Sequence, residues 1–336
     1  MEILGGAELC FPQLINTSCK KSMQLHSESI FIYVLLSCIS FVTVTLNLLV
    51  IISISHFRQL HTPTNFFLLS LAVSDLLVGL LLMPFQIMLL GGCWYLGNLV
   101  CVMFKYNSFV IPSASVGHMV LISVDRFVAI CDPLCYPSKI TQKRVKVCVC
   151  MCWIGSVLYN GAILNHFLKQ PEAHNSCSGK CIVTLDVLTE TFDLIFTFIG
   201  PITVIIILYM RVFVVAVSQA RAMRSHIASV TLQDSVPVTA KKSERKAATA
   251  LGVVVLVFLI CFFPYFYSVL AGQDYPFGKQ FSAFGIWLLY FNSCLNPLIY
   301  TFFYPWFRKS VKLIITFQIC QPYSSDANIQ NDFPQL

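Results

Sequence analysis

Charge is what this 336-residue chain has least of: Asp, Glu, Lys and Arg make up 11% of it, against 57% hydrophobic residues. Soluble globular domains carry nearer a quarter charged residues. The composition therefore excludes an ordinary soluble domain and, with a mean hydropathy of +0.76, points to a membrane protein. Catalytic patterns are missing as well. No nucleophile stands with a base in a recognisable arrangement, there is no His-Glu zinc motif, and His118 is a lone histidine in an apolar run, read as packed or partnered. That argues against an enzyme. No internal repeat is visible, which argues against transporters built from duplicated halves, and residues 1–29 hold no basic-then-apolar leader. The net charge of +7 invites nucleic acid, but no basic patch interleaved with aromatics lies in a soluble segment, so no nucleic-acid partner is expected.

What is present is a series of seven apolar runs, about 30–54, 66–90, 99–130, 146–168, 189–218, 246–271 and 281–304. Each is long enough for the ~20 residues a bilayer core requires. The expected fold is an all-α membrane protein, a seven-helix bundle over 30–304 with mostly short connections and antiparallel neighbours. Sixteen of the twenty-two Lys and Arg residues, among them Arg58, Arg126, Lys143, Arg224 and Lys309, fall on the side opposite the N-terminus. By the positive-inside rule that side is cytoplasmic and residues 1–29 are extracellular, where the sequon at Asn16 is a glycosylation acceptor. After Tyr304 the chain turns amphipathic over 305–318, with Trp306, Phe307, Leu313 and Ile314 against Arg308, Lys309 and Lys312, as in a short helix lying on lipid. A cytoplasmic tail, 319–336, follows, with Cys320 as a palmitoylation candidate. Of fifteen cysteines, several lie inside apolar runs as small hydrophobes. Cys10, Cys19, Cys93, Cys101, Cys177 and Cys181 fall near extracellular segments, where thiols oxidise.

Polar groups inside the runs need protein or water for company. Asn47 and Asp75 lie in the first two runs, an Asp125-Arg126 pair ends the third, and Asn292 and Asn296 stand one turn apart before Pro297 in the seventh. The string Asn292-Ser-x-x-Asn-Pro-x-x-Tyr-x-x-x-Tyr-x-Trp-Phe307 resembles the fingerprint of the trace amine-associated receptors, within the rhodopsin-like G-protein-coupled receptors. Ser123-Val-Asp125-Arg126-Phe127 is similar to that family's Asp-Arg-Tyr motif, with phenylalanine last. Phe258-Leu-Ile-Cys261-Phe262-Phe263-Pro264 is similar to its Cys-Trp-x-Pro, with Phe262 where tryptophan is usual.

The resemblance implies an activation switch of Asp125, Arg126, Phe258, Phe262, Pro264, Asn296, Pro297 and Tyr300, with Glu244 holding Arg126 across the bundle at rest. It implies a sodium pocket of Asp75, Ser115, Asn292 and Asn296, for which a purely structural knot of Asn47, Asp75 and Asn296 is the alternative. It implies a Cys101–Cys181 bridge and a second from Cys177 to Cys19 or Cys10, with Cys93 a competitor. Beyond sodium no cofactor is expected. The implied partners are a small-molecule amine, a heterotrimeric G protein of stimulatory or olfactory type raising cyclic AMP, and membrane lipid, at the plasma membrane of olfactory neurons.

The amine site departs from the family pattern. Aminergic receptors hold the ligand ammonium on an aspartate seven residues after the third-span cysteine, and here that place is Ser108. Counting back two turns from Pro201 finds Asp193 instead, in an apolar run, which resembles fish members of the group that carry the aspartate on the fifth helix. Asp193 is the expected anchor, with Thr197 one turn deeper and aromatic walls from Phe109, Phe262, Tyr265, Phe266, Trp287 and Tyr290. Glu190, one turn above, is a candidate second contact that would favour di- or polyamines. Lys105, Ser108 and Pro112 form an i, i+3, i+7 stripe. It brings Lys105 either to the cavity, to pair with Glu190 or Asp193 in the empty receptor or to bind a ligand carboxylate, or to the outer interface by snorkelling. A receptor for an amino acid or other zwitterion is therefore the alternative function, with a transporter behind it.

Overall fold

A computed structural model describes residues 9–14, 16–21, 26–170, 177–229, 252–253, 255–267, 278–327 and 329. Among these the regular structure is helical. Helix α1 is His26–His56. Helix α2 runs as Pro63–Leu77, a π turn Val78–Leu82 and Met83–Leu90. Helix α3 is Gly97–Cys131, and α4 is Gln142–Ile163 with a short turn of helix, Asn165–Lys169, after it. Helix α5 runs as Val187–Leu194, a π turn Ile195–Ile199 and Gly200–Ser229. Helix α6 is described over Val255–Tyr267, α7 is Gly278–Phe303 and α8 is Pro305–Ile315.

The boundaries follow capping chemistry. Thr62 accepts from the Asn65 N–H with Pro63 at the first helical position, Thr141 opens α4, and Asp186 accepts from the Thr189 N–H at 3.0 Å to open α5. A helix start leaves N–H groups without partners, and a short oxygen-bearing side chain supplies one. Both π turns end two residues before a proline, Pro84 and Pro201, whose missing N–H removes one rung of the ladder. At the far end Arg308 donates to the carbonyls of Thr301 and Phe302 at 2.9 and 3.0 Å, satisfying the last turn of α7 as the chain bends at Tyr304 into α8. Five of the helices, Ile30–His56, Pro63–Leu90, Gly97–Cys131, Gln142–Ile163 and Val187–Val215, are long and apolar enough to cross a membrane.

Helix α3 is the axis of the bundle, packed against α2, α4 and α5, while α1 packs on α2 and α7 and supports α8. Polarity is reversed from that of a soluble protein. Asn47, Ser74, Asp75, His118 and Asn296 are at most 1% exposed, whereas Phe41 is 71% and Leu158 68% exposed. A bundle that buries its polar groups and turns phenylalanine and leucine outward suits a hydrocarbon surround. His118 is partnered: it bonds Ser70 Oγ at 2.7 Å, and Trp153 Nε1 donates to the same oxygen at 3.0 Å, tying α2, α3 and α4 together.

Candidate functional site

A cavity of about 220 Å³ opens between α3, α5, α6 and α7. Lys105, Ser108, Phe109 and Pro112 reach it from α3, Asp193 and Thr197 from α5, Phe262, Tyr265 and Phe266 from α6, and Tyr290 from α7. Glu190 does not line it. It lies at the exposed rim, in the first turn of α5. Trp287 likewise stands outside, packed edge-on to Tyr290 with ring centroids 6.2 Å apart.

Helix α5 delivers Asp193 just ahead of the π turn, where the backbone already departs from α geometry. Its Oδ1 accepts from the Tyr159 hydroxyl of α4 at 3.3 Å. Thr197 spends its hydroxyl on the Asp193 carbonyl at 2.6 Å, and Ser108 spends its own on the Lys105 carbonyl at 2.7 Å. Neither hydroxyl is thereby left idle toward the cavity, but Asn160 Oδ1 is: this residue is 1% exposed, lines the cavity, and its oxygen has no partner among the described residues. Tyr159 and Asn160 are site residues that the sequence reading missed. Asn160 carried the same signal as Asn47, a lone amide in an apolar run; Tyr159 carried none, because only packing of α4 on α5 brings it to the aspartate.

Below the cavity an aromatic column continues toward the other end of the bundle. Phe266 stacks on Phe198 at 3.9 Å between centroids, and Phe262 lies 4.1 Å from Phe258, which is 1% exposed. A side chain that moves at the cavity floor therefore moves against a packed neighbour. Gly285 of α7 meets the α6 backbone here: a Cβ in its place would lie 2.8 Å from Tyr265 Cα.

Above the cavity the chain is stapled. Disulfides join Cys101 to Cys181, Cys19 to Cys177 and Cys10 to Cys93. The choice between Cys19 and Cys10 falls on Cys19, and Cys10 and Cys93 pair with each other. The second strap is reinforced by Cys19 N–H donating to the Ser178 carbonyl and Trp94 N–H to that of Gly179, both at 2.9 Å. Gly179 has φ +104°, and a Cβ there would sit 2.8 Å from Cys10 Cβ, so the crossing of the straps needs glycine. Asn16 is exposed in the turn between the first two cysteines.

Two polar clusters lie deeper. Asp75 accepts from Asn296 Nδ2 at 2.8 Å and from the Ser293 hydroxyl, while Asn47 Nδ2 donates to the Ser293 carbonyl at 3.0 Å. Ser115 donates to Ser74 Oγ at 3.0 Å, and Asn292 Oδ1 accepts from Asn296 at 3.5 Å. At the opposite end from the disulfides, Arg126 bonds the buried Asp125 through Nε at 2.9 Å and through Nη2, which also reaches Thr64. Asp125 further accepts from Tyr136 at 2.9 Å and from Thr64 at 3.0 Å. Glu244, the expected holder of Arg126, lies outside the described residues; the clamp that is described uses Thr64 and Tyr136. Tyr300, Tyr209 and Tyr304 surround this region with buried hydroxyls that find no partner among the described residues.

Residues 46–300 match the family of 7 transmembrane receptors of the rhodopsin family. The chain is 40% identical to trace amine-associated receptor 13c of Danio rerio over 96% of each sequence. It is 34% identical to trace amine-associated receptor 6 of Pan troglodytes over 97% of each, and 35% to receptor 7e of Mus musculus over 98% of this chain and 93% of that one. Rhodopsin-family receptors are not enzymes; they answer a small-molecule ligand and act on a G protein. With its membrane-length helices, its reversed polarity and these relatives, the chain belongs to the trace amine-associated receptors, a multi-pass membrane branch of the rhodopsin-like G-protein-coupled receptors.

Proposed function

We propose that this receptor detects a small amine whose ammonium is held by Asp193. The observation that carries this reading is the carboxylate itself, set on an apolar wall of the cavity with only neutral hydroxyls, Tyr159 at 3.3 Å and Thr197, as its side-chain partners among the described residues. A carboxylate removed from water is costly unless a cation or donors compensate. A ligand ammonium supplies both the opposite charge and charge-assisted hydrogen bonds, and the unpaired Asn160 oxygen offers it a further acceptor. Tyr265, Phe262 and Phe266 supply ring faces and apolar contact for the rest of the ligand. The volume lies below the ~300–1,000 Å³ typical of sites for drug-sized molecules, so the ligand is small.

Signalling is a population shift: the ligand favours the arrangement in which it is better held. Phe262 and Phe258 link the cavity floor to the core, and Pro264 lies within α6, two residues after Phe262. Release of Arg126 from Asp125, with rearrangement of Asn296, Pro297 and Tyr300, opens the cytoplasmic face. Buried hydroxyls without partners cost about 1–3 kcal/mol each, so the three tyrosines stand to gain from a second arrangement. A stimulatory or olfactory G protein, cyclic AMP, the plasma membrane of olfactory neurons, an extracellular glycosylated Asn16, α8 lying on lipid and a palmitoylated Cys320 complete the reading.

Sodium fits the Asp75 cluster by donor chemistry. The carboxylate, the Ser115 hydroxyl and the amide oxygens of Asn292 and Asn296 are all hard oxygen ligands, and Asn296 Oδ1 is buried without a partner among the described residues. These four residues would hold the ion, which would supply a charge balancing Asp75. The test of the function is a screen of mono-, di- and polyamines in cells expressing the receptor, reading cyclic AMP and uptake of labelled amine. Amine-dependent cyclic AMP without uptake supports a receptor; uptake without a signal supports a transporter.

A further inference from the structure

The cavity carries a second charge that the amine reading leaves unused. Lys105 lines it from α3, one turn from Ser108, and its Nζ lies 5.1 Å from the centroid of the Phe104 ring. It forms no ion pair among the described residues, whose pairs are Arg58–Asp326, Arg126–Asp125 and Lys139–Asp132. Lys105 and Asp193 are the two charged residues of the lining, and they do not neutralise each other. Glu190, the other acidic group on this part of α5, is at the exposed rim.

A cavity with one cation and one anion on different walls is complementary to one class of small ligand. With the ammonium at Asp193, a second ammonium on the ligand's far end meets the like charge of Lys105 across a water-poor gap. A plain alkyl end leaves Lys105 with the Phe104 ring face and no anionic partner among the described residues. A carboxylate there gives both wall charges a partner and buries no charge alone. The stretch between the two ends faces rings and aliphatic side chains, which suits methylenes. We propose that Lys105 forms an acidic-group subsite, so that the cavity selects amines bearing a distal carboxylate, ω-amino acids, over diamines of the same length. This rests on Asp193 as the ammonium site.

Full-length receptor is expressed as wild type, Lys105→Met, Lys105→Arg and Asp193→Asn, with surface expression measured for each. Binding is read as thermal stabilisation of the detergent-solubilised protein and potency as the second-messenger response. The probes are alkylamines, α,ω-diamines and ω-amino acids of three to eight carbons. The expected result is that, at the best chain length, the ω-amino acid exceeds the alkylamine about tenfold in potency and the diamine is weakest. Lys105→Met, which keeps the stem, removes that tenfold advantage while leaving the alkylamine within about twofold, and Lys105→Arg preserves the order. The subsite is overturned if diamines match or exceed ω-amino acids at every length, or if Lys105→Met weakens both classes equally. Alkylamine binding lost in Asp193→Asn but indifferent to an added carboxylate sinks the Lys105 subsite alone. Alkylamine binding absent from wild type or unchanged in Asp193→Asn sinks the anchor and the subsite together.

Discussion

Tyr159 and Asp193 join neighbouring helices at the proposed ligand site through one hydrogen bond. Tyr159→Phe leaves the ring and removes one of the two hydroxyl donors, so the carboxylate is held less firmly but keeps its charge. A hydrogen bond of this kind contributes about 0.5–1.5 kcal/mol net, and amine potency in a concentration–response assay is expected to fall roughly threefold to tenfold at normal surface expression. At the end of the bundle opposite the disulfides, Tyr136→Phe removes a donor from Asp125 and weakens the anion that holds Arg126. Hydrogen bonds to charged groups are worth about 1.5–3 kcal/mol, so ligand-free signalling should rise severalfold, measured as basal second messenger per receptor at the surface. The depth of Asp193 was readable by counting from Pro201, and the loss of the usual anchor was readable at Ser108. Tyr159, Thr64 and Tyr136 were not, since each acts on a residue of another helix and spacing along a chain says nothing of distance between helices. Glu190 stands one turn above Asp193 as its spacing indicated, but that turn is the first of the helix, where the side chain is exposed and off the cavity lining.

Helix α5 is the element on which most depends, and its start is an aspartate cap. The N–H and hydroxyl of Thr189 donate to Asp186 at 3.0 and 2.8 Å and hold its carboxyl below the ordinary 3.8. A lowered folded-state value means that the stabilisation is fully present above the ordinary carboxylate range and fades as pH falls through the folded value. Amide exchange at Thr189 is accordingly expected to stay slow from neutrality down to about pH 4 and to accelerate below it relative to an Asp186→Ala receptor, which lacks the cap throughout. Helices α6 and α7 meet at Gly285, where an added methyl group strikes Tyr265 backbone at 2.8–2.9 Å. Backbone yields at higher cost than a side-chain tip, and overpacking costs about 1–3 kcal/mol. Gly285→Ala is expected to lower the melting temperature of the solubilised receptor and to weaken amine potency together, because Tyr265 lines the cavity. Apolar runs placed the described ends of α1 to α4 and α7 within about five residues, while α5 continues past its run to Ser229; the π turns were not legible, since a proline signals a broken rung without saying how the backbone closes the gap.

At the scale of the whole molecule, the structure is a bundle that is polar within, apolar without and strapped across its outer mouth by three disulfides. Cys10–Cys93 spans a sequence separation of 83 and ties the N-terminal segment to the turn between α2 and α3. A bridge closing a loop of that length is worth about 2–4 kcal/mol. The Cys10→Ser, Cys93→Ser double variant is expected to melt several degrees lower while keeping its amine selectivity, since neither cysteine lines the cavity. That pairing was beyond the sequence, because six extracellular thiols fix no connectivity by themselves. The account as a whole stands on the proposal that Asp193 of α5 holds the ligand ammonium, and the most direct test is Asp193→Asn, assayed for amine response alongside surface expression, with Ser108→Ala as control. Truncating one partner of a desolvated charge pair costs about 2–5 kcal/mol, so the variant should reach the surface normally and lose amine potency by roughly thirtyfold or more, with Ser108→Ala nearly unaffected. Unchanged amine potency in Asp193→Asn at normal surface expression would contradict the account.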